Sequence, residues 1–193
     1  MARIFDDYVA GTWVIDPQQS VVKFSISHMI VMKVPGVFSE FDGQIVTRPD
    51  VSGSSAQASV QVRSMDTHNP RRDEGTLAKD PFDADNYPAI TYTSTGITPS
   101  DNEIRVDGTL SIRGVIRPIA LSVNKIQFER DANGRRELQF RAAGAVNRQD
   151  FGVRFGVPLD RHGVLAGNRV VIELEVTARL LDDNVVPTEA GGN

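Results

Sequence analysis

Residues 104–123 constrain the fold more than any other stretch of the chain. Ile104, Val106, Leu110 and Ile112 alternate with Arg105, Asp107, Thr109 and Ser111, a period of two that suits a half-buried strand and not a helix. Gly108 takes the one empty place on the apolar face. After Arg113 and Gly114, which read as a turn, the alternation restarts with Ile119, Leu121 and Val123 set against Ala120, Ser122 and Asn124. Two strands are therefore expected to fold back as a hairpin. Pro118 cannot donate to a ladder, so it fits only at a strand start, an edge or a bulge.

The same period recurs along the chain. Trp13, Val14 and Ile15 open a short strand that Asp16 and Pro17 stop. Val22, Phe24, Ile26 and His28 share one face of a second. Phe38 and Phe41 stand three apart in a third, running to about Ile45, so one face takes both only if the strand bulges. Ala56, Ala58, Val60 and Val62 form the next face, and its small members leave room that a facing residue fills in a sandwich and a ligand fills in a barrel. Ile90, Tyr92 and Ser94 precede the hairpin. Leu138, Phe140, Ala142, Gly144 and Val146 follow it across a turn at Asn133 and Gly134. Val170, Ile172, Leu174, Val176, Ala178 and Leu180 make the longest apolar face.

One segment breaks the pattern. Residues 65–88 are charged and lose the alternation; Asp73 to Lys79 is expected as a short helix, with Asp73 near its positive N-terminal end and Pro81 closing it. Such a segment covers one end of a barrel. About nine extended segments, one short helix and no crossover helices leave an all-β sandwich or antiparallel barrel. Strands this long favour the barrel, because closure removes exposed edges.

The 193 residues suit one domain, with residues 1–11 as an N-terminal extension, 12–181 as the barrel and 182–193 as a disordered tail. A net charge of −4 argues against nucleic acid. The absence of cysteine excludes disulfides and a cysteine nucleophile. Asp6 and Asp7 interrupt any early apolar run, and no stretch approaches the roughly 18 apolar residues of a membrane span. A soluble, cytoplasmic protein is expected.

An apolar interior is sufficient for tight binding. Each buried methylene contributes about 0.8 kcal/mol, so roughly ten carbons reach about 8 kcal/mol, near micromolar affinity before association costs. Alternation nominates Phe24, Ile26, Tyr92, Leu110, Ile112, Phe140 and Ala142 as lining, although each also suits a closed core. His28 ends an apolar face, where it either meets a ligand head or donates to a backbone carbonyl. Arg71 and Arg72 stand beside the expected lid, where they pair either with an anionic ligand head or with Asp73 and Glu74. Arg148 and Asp150 read as a local pair ordering a closing turn, with Phe151 plugging the barrel end or touching ligand. His28, His68 and His162 share no metal-ligand spacing. Asp80, Asp83 and Asp85 lack the glycine and glutamate of a calcium loop. No metal, cofactor or catalytic constellation is expected; the competing readings are an enzyme using His28 as acid or base, and a ligand-free interaction module.

The order of Trp13-x-Ile15-Asp16, Val22-x-Phe24-x-Ile26-x-His28, Gly36-Val-Phe-Ser-Glu-Phe41-x-Gly43, Arg72-Asp73, Asp80-x-Phe82-Asp83, Tyr87-Pro88, Gly108-Thr-Leu-Ser-Ile-Arg-Gly114, Pro118 and Asn147-Arg-Gln-Asp-Phe-Gly152 resembles the YceI-like family from about Thr12 to Leu180. The resemblance implies a lipocalin-like antiparallel β-barrel of about eight strands with one short helix near residues 73–79. It also implies a long apolar ligand in the interior, a polyisoprenoid or another lipid with a polar head, and commonly a homodimer. On this reading Phe38, Phe41, His28, Arg72 and Phe151 join the ligand-contact set. Glu74-Gly75-Thr76-Leu77 departs from the family's usual His-Leu pair after Arg-Asp, so contacts with a ligand head are expected to differ. The family's frequent secretion signal is not recognised here, so a periplasmic carrier role is not carried over.

Overall fold

A computed structural model describes residues 7–28, 32–77, 79–100, 103–154 and 166–181. The tail at 182–193, His162 and the side chain of His28 lie outside the described residues. Eleven strands form one antiparallel sheet: β1 (Gly11–Ile15), β2 (Val21–His28), β3 (Met32–Phe38), β4 (Phe41–Thr47), β5 (Ser55–Gln61), β6 (Met65–Asp66), β7 (Ala89–Pro99), β8 (Ile104–Ile112), β9 (Val115–Arg130), β10 (Arg136–Asn147) and β11 (Ala166–Leu180). One helix, α1 (Pro70–Leu77), lies between β6 and β7.

The sheet closes because β11 pairs with β10 on one side and with both β1 and β2 on the other. Trp13 to Ile15 meet the C-terminal end of β11, and β2 meets the rest. The break between β1 and β2 falls at Asp16 and Pro17, where proline interrupts the ladder. Ser20 repairs it: its Oγ donates to the Thr177 carbonyl at 3.1 Å and accepts from the Thr177 N–H at 3.0 Å. β3 and β4, and likewise β5 and β6, are consecutive pieces of bent strands. Counting each interrupted pair once gives a closed eight-stranded barrel.

Phe38 and Phe41 do not share a bulged strand. Ser39 and Glu40 separate β3, paired with β2 and β6, from β4, paired with β1 and β5. The corner turns both rings inward without a bulge.

The hairpin at 104–123 matches its alternation, with Ile104, Val106, Leu110, Ile112, Ile119, Leu121 and Val123 all buried. Arg113 and Gly114 both have positive φ, 54° and 72°, the left-handed pair that a two-residue turn between right-twisted strands requires. Pro118 pairs opposite Thr109 in a part of β9 beyond the β10 register, which runs from Ser122 to Arg130. Its missing N–H therefore leaves that register intact.

The helix starts three residues before the expected Asp73. Pro70 opens it, as proline's fixed φ allows at a first helical position, and the Asn69 side chain accepts from the Arg72 N–H at 3.1 Å. Asp73 instead reaches back to Thr67, accepting from its N–H at 3.0 Å and its hydroxyl at 2.6 Å. β6 pairs with β3, while the chain between β6 and β7 carries α1 and then Phe82 and Ala84, both buried. This segment fills one end of the barrel. Trp13, Leu138 and Ala178 pack together at the other, with Phe128 edge-on to Trp13 at 5.5 Å.

Candidate functional site

Between these two ends the inward faces border two adjoining apolar chambers, of about 180 and 150 Å³. Alternation is the cause: every second side chain of each long strand points inward, and several inward positions are too small to fill the space. Ala56 and Ala58 on β5 and Ala142 on β10 are three of these.

The first chamber lies toward α1. Phe24, Ile26, Phe38, Phe41, Leu110 and Ile112 line it. The rings of Phe24 and Phe38 stand 5.2 Å apart, and the Phe24 ring lies across Gly36, where a Cβ would collide with it. Phe82 from the end segment and Met65 from β6 also reach this chamber. The second chamber lies toward Trp13 and is lined by Phe140, Ala142, Val106 and Val123 among others. Tyr8, whose hydroxyl donates to the Arg48 carbonyl at 2.6 Å, adds its ring there.

Tyr92 borders both chambers. Its hydroxyl oxygen is buried and has no hydrogen-bond partner among the described residues. Burial, reinforced by the Asp107 carboxylate, pushes that hydroxyl up to about 12. Gly108 is not open space as its place in the alternation suggested, and no positive φ sets it apart. A Cβ there would stand 2.6 Å from both the Tyr92 hydroxyl and a ring carbon, so the glycine seats the ring.

Nine of the expected contacts therefore border the interior: Phe24, Ile26, Phe38, Phe41, Tyr92, Leu110 and Ile112 at the first chamber, and Phe140, Ala142 and again Tyr92 at the second. Arg72 and Phe151 stand elsewhere. The Arg72 guanidinium donates to the Thr67 hydroxyl and carbonyl, both at 2.7 Å. Phe151 is 1% exposed within the core. It follows Arg148, whose guanidinium donates to the carbonyls of Val153 at 2.8 Å and Gly167 at 2.9 Å while bordering the first chamber. Burial lowers the pKa of Arg148. His28 ends β2 opposite Met32 and Ala166 in the backbone register.

Residues that the lining set omitted include Ile15, Leu121, Ile172, Leu174 and Val176. The long apolar face of β11 was itself a sufficient signal, since in a closed barrel the inner face of any strand meets the interior. Phe82 had no such signal, because it sits in a charged, non-periodic segment. No three His, Cys, Asp or Glu side chains among the described residues come together as a metal-binding group, and no described helix is long and apolar enough to cross a membrane.

The family model for the YceI-like domain matches residues 13–178. The chain belongs to the YceI-like family. A UPF0312 protein of Staphylococcus epidermidis is 29% identical over 171 residues, covering 88% of this chain and 96% of the relative. Protein YceI of Shigella flexneri is 28% identical over 149 residues, covering 76% and 78%. Among solved structures, BcnA of Burkholderia cenocepacia superposes with a TM-score of 0.70 at 24% identity, covering 84% of this chain and 98% of its own. A polyisoprenoid binding domain from Saccharophagus degradans superposes with a TM-score of 0.66 at 16% identity, covering 89% and 99%. The likeness to these two structures is one of fold.

Proposed function

We propose that this YceI-like protein binds a long-chain apolar ligand, a polyisoprenoid or related lipid, inside the barrel for storage, transport or sequestration. The observation that carries the reading is the pair of chambers, bordered almost wholly by aliphatic and aromatic side chains. Such surfaces favour an apolar chain over water, because moving that chain out of water is favourable in proportion to its buried area. The S. degradans domain, described as polyisoprenoid binding, supports the same ligand class.

In this reading Phe24, Ile26, Phe38, Phe41, Leu110 and Ile112 hold one part of the chain and Phe140 and Ala142 the other, with Tyr92 between them. Arg72 and Phe151 hold the barrel end instead of touching ligand, and His28, at the end of β2, is the proposed contact for a polar head. Binding and not turnover is the proposed activity. A homodimer and a cytoplasmic location complete the proposal; light scattering checks the first and cell fractionation the second. Organic extraction of the purified protein followed by mass spectrometry is expected to release a long-chain lipid in near-stoichiometric amount. Extracts without lipid, together with no uptake of added isoprenoid alcohol, would overturn the reading.

A further inference from the structure

We infer that Tyr92 sets ligand length: its ring, seated on Gly108, partitions the interior, and a chain longer than one chamber binds only when that ring swings off its seat. The inference rests on the apolar-ligand reading above and adds a specificity determinant to it.

The two chambers share six lining residues, Ile15, Ala58, Tyr92, Leu121, Leu174 and Val176. They come from β1, β5, β7, β9 and β11, so they form a girdle around the barrel and not a patch on one wall. Tyr92 is the only aromatic residue of the six. A flat ring projecting from a girdle narrows the passage more than the aliphatic side chains around it.

The ring's position has an unusual balance. On one side the missing side chain of Gly108 lets the ring lie directly on β8, with the would-be Cβ only 2.6 Å from ring and hydroxyl. That close approach holds the ring by packing. Against it stands the hydroxyl, buried without a hydrogen-bond partner among the described residues, an arrangement that disfavours the seated position. On the other side of β7, Tyr92 pairs with Ala58 of β5, which presents a single methyl and borders both chambers. A second staggered side-chain rotamer directed toward β5 therefore meets less bulk than one directed at Leu110, its partner on β8. The side chain has a seat, a reason to leave it and a small neighbour to move over. None of the other five girdle residues combines these features.

The test is a length series. Affinities of geraniol, farnesol and geranylgeraniol for the purified full chain are read by displacement of 1-anilinonaphthalene-8-sulfonate, after thermal melts confirm that each variant is folded. In the native protein the gain per added isoprene unit should fall once the chain outgrows one chamber. In Tyr92→Ala the gain should persist along the series, so that the ratio of the longest alcohol's affinity to the shortest's is at least about tenfold larger than in the native protein. Tyr92→Phe keeps the ring and should keep the break in the series. Should Tyr92→Ala not fold, Tyr92→Leu replaces it with the same expectation. Identical length profiles in the native and ring-deleted proteins would overturn the inference while leaving the binding reading intact, as would a Tyr92→Phe profile that matches Tyr92→Ala. No binding of any alcohol to any of the proteins would overturn the reading, and the inference with it.

Discussion

The indole N–H of Trp13 donates to the Thr47 hydroxyl at 2.8 Å, and the same hydroxyl donates to the Val9 carbonyl at 2.7 Å. The Gly11 N–H also points to that oxygen, at 3.0 Å. Trp13 is fully buried, so among the described residues its N–H depends on Thr47. One hydroxyl therefore ties the largest buried side chain, the start of β1 and the segment before it to the end of β4.

Thr47→Val preserves the shape of the side chain and removes this oxygen, leaving a buried indole N–H unpaired. Stability is expected to fall by about 1–3 kcal/mol, read as a lower urea midpoint at unchanged slope. Thr47→Ser, which keeps the oxygen, should lose clearly less. An unchanged midpoint in Thr47→Val, with the loss confined to Thr47→Ser, would place the effect in the methyl group and not in the hydrogen bonds.

The corner at Thr67 gives a second prediction. Asp73 is buried and accepts from the N–H and hydroxyl of Thr67, while Arg72 donates to that hydroxyl and to the Thr67 carbonyl. Asp73→Ala leaves the Thr67 N–H and hydroxyl without their acceptor and is expected to lower stability by about 1–3 kcal/mol. Arg72→Ala should also destabilise, yet leave the affinity for an apolar chain within about twofold, because its contacts are with the corner and binding depends on buried apolar area. Loss of binding with unchanged stability in Arg72→Ala would return this residue to the ligand.

Ala58 faces both chambers from the middle of β5. Ala58→Leu adds apolar volume where the barrel has space, so stability should hold or rise. The same side chain takes room from a ligand, and the affinity for geranylgeraniol is expected to fall at least about tenfold. A variant that loses stability and keeps its affinity would show that this part of the interior is closed core.

What the sequence discloses follows the range of the interaction. The hairpin at 104–123 is legible because a strand's period is local: each inward residue declares itself two positions on. The helix is legible, but its start is read three residues late because Asp73 has the composition of a helix start while its partners lie upstream at Thr67, beyond the reach of a spacing rule. Pro70 and the Asn69 cap carried the better signal. Phe38 and Phe41 look incompatible with one face until β3 and β4 are seen to pair with different neighbours. Gly108 shows from sequence alone that a side chain is missing, but not that Tyr92 occupies the place. That contact joins different strands, and its details depend on the β7–β8 register, in which Tyr92 meets Leu110 and Ser94 meets Gly108. Lining residues were legible wherever alternation was clean; Phe82, in a segment with no period, was not.

The last prediction concerns alkaline pH. Burial, followed by the Asp107 carboxylate, raises the Tyr92 hydroxyl from its ordinary 10.0 to about 12, so the folded protein resists an ionisation that the unfolded chain accepts freely. The stabilisation is complete while both states hold the proton, below pH 10, and is lost as pH rises toward 12, because the unfolded state then binds fewer protons than the folded one. Urea midpoints of the native protein should accordingly decline across this window. Tyr92→Phe has no hydroxyl to ionise and should decline less, and at neutral pH it should be at least as stable as the native protein, since it removes a buried hydroxyl that lacks a partner. Parallel declines in the two proteins would assign the alkaline loss to other groups. A marked loss of stability in Tyr92→Phe at neutral pH would mean that the hydroxyl has a partner after all, and that the ring is held on Gly108 by more than packing.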